Sequence, residues 1–77
     1  MSAHAYIAAA DVPPRAIGPM PAAVAGEEML VSFGGTRFRA RPVADGQLEF
    51  VVPRDPLARG ELFSLLLYFG IPFLVLP

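Results

Sequence analysis

Arg37, Arg39 and Arg41 are the residues best placed to recognise a partner. Alternate spacing on a strand puts three guanidiniums on one face, about 6.7 Å apart. Each guanidinium presents a planar fork of donors that fits carboxylate or phosphate oxygens. No aromatic side chain interleaves on that face, so stacking on bases has no support. A net charge of −1 also lacks the broad attraction that a nucleic-acid-binding domain exerts on phosphates. The stripe therefore reads either as a plain solvated face or as a contact for carboxylates on another protein, and nucleic acid is not an expected partner.

The remaining reactive groups are better read as structural. The single histidine, His4, follows Ser2-Ala3. With Met1 removed, that tripeptide would offer an amine, two amides and an imidazole to copper or nickel in a square plane. Three residues are too few to single out a metal site, and none is assigned. Ser2, Ser32, Ser64 and Thr36 have no adjacent base and orienting group, which nucleophilic catalysis requires. Among the carboxylates, Glu28 and Glu49 are expected to flank Arg41 across strands, which keeps both ionised. Asp45 and Asp55 read as a turn residue and a helix cap. Gly34-Gly35 has no helix or lysine after it, so it is a hairpin turn and not a phosphate loop. The expectation is a protein that is not an enzyme and holds no cofactor.

The elements that position these residues are short. The chain has 77 residues, nine prolines, seven glycines and no cysteine. That is one small domain, with neither disulfides nor thiolate metal sites to supplement a marginal core. All six basic residues are arginine, so the lysines that usually blunt exposed sheet edges are missing. Residues 1–26 read as an extended Ala/Pro-rich arm, broken at Pro13, Pro14, Pro19 and Pro21 and polyproline-like from Asp11 onward. Within it, Ala3 to Ala10 fits a short strand or a helical turn equally. The arm is expected to lie along another surface.

Residues 27–77 read as a three-stranded antiparallel meander followed by an apolar helix and strand, a small α+β or mainly β unit. Gly34-Gly35 makes a two-residue primed turn, pairing Phe33 with Thr36, Val31 with Phe38 and Met29 with Ala40. A three-residue loop at Ala44-Asp45-Gly46, with Gly46 left-handed, keeps Leu48, Phe50 and Val52 on the face of Phe38 and Ala40. Pro42 is tolerable in the middle strand only where a neighbour has already ended. Asp55 caps a helix that begins at Pro56, runs to about Phe69 and stops at Gly70. Phe73 to Leu76 reads as a short buried strand.

Leu62 to Pro77 contains no charge, and hydrophobic residues make up 55% of the chain. Leaving Leu66, Leu67, Phe69, Phe73 and Leu74 wet would forgo about 1.5–3 kcal/mol each. These five residues, with the arginine stripe, are the expected partner interface. The function expected is that of a non-catalytic structural subunit of a larger multi-chain assembly. A bacteriophage-type virion part (tail, baseplate or head accessory protein) is the first choice, since small cysteine-free β units with arms suit a particle assembled in the cytoplasm. The competing expectation is a membrane-anchored accessory subunit with residues 62–76 as a short membrane segment. As one helix these would fall short of the roughly 30 Å hydrocarbon layer.

Overall fold

A computed structural model describes residues 3–18, 26–43 and 46–77. The chain forms β1 (His4–Ala8), a 3-10 turn (Ala9–Asp11), β2 (Met29–Phe33), β3 (Thr36–Val43), β4 (Gln47–Val51), α1 (Pro56–Tyr68) and β5 (Leu74–Leu76). The five strands make one antiparallel sheet in the order β2-β3-β4-β1-β5. It is a small α+β fold, with α1 packed on one face of the sheet.

Both hairpins follow from their turns. Gly34 and Gly35 have φ of 59° and 86°, the pair of positive values a type I′ turn demands, and Phe33 pairs with Thr36 as the spacing predicts. In the second hairpin Val43 pairs with Gln47 and Arg41 with Glu49, so three residues connect the strands and Gly46 is left-handed at φ 70°. Ala44 and Asp45 of that turn lie outside the described residues. Pro42 sits where β2 has already ended at Met29, and its carbonyl accepts a hydrogen bond from the Gly26 amide at 3.0 Å.

One face of the meander is apolar and buried: Val31, Phe33, Phe38, Ala40, Leu48, Phe50 and Val52. Phe33 lies at its centre, with ring centroids 6.2, 5.5 and 5.8 Å from Phe38, Phe50 and Phe69. Leu62 and Leu66 of α1 complete the core over this face, one helical turn apart. The Asp55 carboxylate accepts from the Ala58 amide at 2.9 Å, and Pro56 occupies the first turn. At the other end Gly70 is left-handed, Ile71 donates to the Leu66 carbonyl and Gly70 to that of Leu67. This is a Schellman closure, and its accompanying apolar contact is between the buried Ile71 and Leu66.

Two expectations are corrected. The N-terminal segment is not an arm set apart from the meander, because β1 is an interior strand between β4 and β5. Ala5 and Ile7 enter the core and pair with Phe50 and Leu48, satisfying the edge that a meander alone would leave open. Further on, Ala16 is buried, Ile17 bridges to Phe33, and the Gly18 amide donates to the Ser32 carbonyl at 2.8 Å. The described part of residues 11–26 thus covers the β2 edge, while Pro19, Pro21 and the rest of 19–25 lie outside the described residues. The second correction concerns β5, which is a strand but is exposed at all three residues. Because β1 takes the interior position, β5 is left at the edge. Residues 62–76 divide between α1 and β5, as the stop at Gly70 and the strand signal after it predict. Among the described residues no helix is long and apolar enough to cross a membrane.

Candidate partner interface

The sheet face turned away from α1 carries the arginine stripe. Arg37, Arg39 and Arg41 alternate along β3 with Phe38 and Ala40, which point into the core. All three arginines are exposed, but they are not equivalent. The Arg41 Nε donates to Glu49 Oε1, its cross-strand partner. Arg39 lies 3.7 Å from a Glu28 oxygen, with both side chains well exposed. The expectation that Glu28 and Glu49 both flank Arg41 is therefore half met. The β2–β3 ladder ends at Met29↔Ala40, and Glu28, beyond the last rung, sits nearer Arg39. Arg37 has no carboxylate within ion-pair distance among the described residues.

Glu49 is only 2% exposed although no helix covers this face. Tyr6, opposite it on β1, and Arg41, opposite it on β3, close over the carboxyl from both sides. The Arg41 hydrogen bond holds the Glu49 carboxyl below its ordinary value, against the opposing effect of burial. The Tyr6 phenol is raised, first by its hydrogen bond to Glu49 and then by burial. Arg41 is raised in turn by the Glu49 bond. All three shifts favour the ordinary charge states of these groups.

The apolar residues expected at the interface divide sharply. Leu66 is fully buried in the chain's own core, which removes it from any external contact. Phe69 packs on Phe33 beneath the Arg15 guanidinium, and Phe73 stacks on Phe63 with centroids 5.5 Å apart. Both are half-buried. Leu67 and Leu74 are open to solvent at 71% and 59% exposure. They are joined by residues that sequence reasoning passed over: Tyr68, Val75 and Leu76 are exposed as well. For Val75 and Leu76 the signal was the position of β5 at the edge, which only the placement of β1 reveals, whereas Tyr68 ends α1 on its exposed side.

His4 pairs with Val51 on one side and Leu76 on the other, within the sheet, while Ser2 lies outside the described residues. Ser32 faces Arg37 across the hairpin, and Ser64 is an exposed helix position. Neither hydroxyl forms a hydrogen bond to a base among the described residues. No family model matches the chain, and no curated protein or solved structure is similar to it.

Proposed function

We propose that the chain is a non-catalytic structural subunit of a larger multi-chain assembly, joined to its protein neighbours through the β5 edge. The observation that supports this is the difference between the two ends of the sheet. The β2 edge is covered by the chain itself at Ile17 and Gly18. The β5 edge, Leu74-Val75-Leu76, is uncharged, exposed and, among the described residues, paired on one side only. Soluble proteins blunt such edges with lysine, bulges or a covering segment, because unpaired strand groups beside apolar side chains recruit another strand. A strand from a neighbouring subunit supplies both the main-chain partners and the apolar cover.

The test compares the full chain with its Leu74→Lys variant by light scattering coupled to size exclusion. The unaltered chain is expected to run as an oligomer or to need its partner for solubility, and the variant to become monomeric with an unchanged far-UV spectrum. A soluble monomer at high micromolar concentration would overturn the reading. In the native host, the chain should sediment in a dense, detergent-resistant particle, with a virion as the first assembly to examine. Flotation with lipid would instead refute it.

A further inference from the structure

A second surface, on β3 and away from the β5 edge, has the character of a binding site. The β3–β4 ladder ends at Ala40↔Phe50, yet β3 extends to Thr36, and there, among the described residues, it pairs with β2 alone. Past Val51 the chain turns toward α1 instead of following β3. The two diverging segments enclose a cleft of about 420 Å³. The carbonyl of Pro42, which accepts from Gly26 on the β2 side, fixes the alternation along the strand. Main-chain groups of Phe38 and Ala40 point toward β2, and those of Arg37 point into the cleft. The strand therefore presents an unpaired edge, within the sheet plane, to whatever fills the gap.

The lining has two chemistries. Phe38, Val52 and Val51 supply an apolar wall, and Arg37, Arg39 and Arg54 supply guanidiniums. No carboxylate lines the cleft. Arg39 has only the long, exposed contact with Glu28, a pair that solvent and another acid readily displace. Arg37 and Arg54 have no carboxylate within ion-pair distance among the described residues. Three like charges around a partly apolar cleft focus a positive potential there.

We propose that this cleft binds a short, extended acidic segment of a partner protein, adding it as a strand beside Thr36–Arg39. An added strand would alternate its side chains between the two faces of the sheet. One set would meet the arginines on the outer face, and the other would meet Phe38 and Val52. The recognised pattern is consequently acidic and apolar residues in alternation. A nucleobase would find no exposed ring to stack on, since Phe38 is buried.

The test is fluorescence anisotropy with the full chain and a labelled peptide, acetyl-Val-Glu-Val-Glu-Val-amide. Three comparators accompany it: the same composition in the order Glu-Glu-Val-Val-Val, the alternating peptide N-methylated at every second amide, and vesicles of phosphatidylglycerol. The alternating peptide is expected to bind, and the reordered and N-methylated peptides to bind at least tenfold more weakly. Each arginine that forms a charge-assisted hydrogen bond contributes about tenfold. Arg37→Gln combined with Arg54→Gln should thus weaken binding by about a hundredfold, with an unchanged far-UV spectrum. Leu74→Lys, which blunts the β5 edge, should leave the affinity intact, so failure at one surface is separable from failure at the other. Absent binding, equal binding of the N-methylated peptide, an unchanged affinity in the arginine variant, or preference for the vesicles would each overturn the proposal.

Discussion

Gly34→Ala isolates the contact between the first hairpin turn and the helix. Gly34 has φ 59°, and a methyl built on it would lie 2.4 Å from Leu65 Cδ2 and 2.9 Å from Cδ1. Gly35 is also left-handed, at φ 86°, but has nothing within 4 Å of the same added methyl. The backbone term is common to both and amounts to about 1–2 kcal/mol for an L-residue in this region. Overpacking adds about 1 kcal/mol at Gly34 alone, because the atoms it meets are the far end of the half-buried Leu65 side chain, which can turn aside. Gly34→Ala should accordingly be the more destabilising by that second amount, which in a domain of this size is roughly 4–8 °C in Tm per kcal/mol. Urea unfolding followed by far-UV circular dichroism measures both. The cycle with Leu65→Ala completes the argument, because shortening Leu65 removes the obstruction. The double variant should be less destabilised than the sum of the single ones by about 1 kcal/mol. Equal effects at the two glycines, or strict additivity in the cycle, would refute the packing of Leu65 on the turn.

Two further outcomes follow from groups already described. Glu49 has a lowered pKa in the folded state, so the unfolded chain takes up its proton first as pH falls. The stability it contributes is complete above the ordinary carboxylate range and is lost as pH drops through the folded value. Tyr6 is raised, so its contribution is complete below the ordinary phenol value and is lost as pH climbs through the folded one. Urea midpoints across the acid range should fall more steeply for the unaltered chain than for Glu49→Gln, and parallel curves would contradict the Arg41–Glu49 pairing. At the helix start, Asp55→Ala should lower stability by about 1 kcal/mol while Asp55→Asn largely preserves it. An equal loss in both would mean that the carboxylate charge, and not the cap, is what matters there.

The meander was legible because turn chemistry and a two-residue period agree on one register. Gly34-Gly35 allows one hairpin geometry, and the requirement that Leu48 and Phe50 share a face with Phe38 selects the length of the second loop. The helix ends were legible for a similar reason, since Asp55-Pro56 and Gly70 are local signals. What the sequence could not show is β1. His-Ala-Tyr-Ile-Ala is short and weakly patterned, and both its partners are distant in the chain, at Gln47–Val51 and Leu74–Leu76. From that one omission the other misreadings follow. Without β1, Glu49 looks like a solvated strand residue, although Tyr6 buries it. Without β1, Leu74–Leu76 has no place beside the sheet. The helix offered no help in choosing its face, because Leu62 to Phe69 is apolar all round, apart from Ser64. Only packing against Phe33 distinguishes the buried Leu66 from the exposed Leu67.

The insertion of β1 between β4 and β5 also sets an expectation for the order of events during folding. The two hairpins close locally and quickly, whereas β1 must cross a long sequence separation to reach either neighbour. Until it arrives, β4 presents an open edge with Leu48 and Phe50 uncovered, and β5 has no strand to hold it. The late state is a slot one strand wide. At high concentration during refolding, the same slot accepts β1 of another molecule with identical pairing, since the segment joining β1 to β2 is long enough to be exchanged. Refolding at high concentration is therefore expected to give a larger share of strand-swapped dimers than refolding at low concentration, which size exclusion of the two products checks.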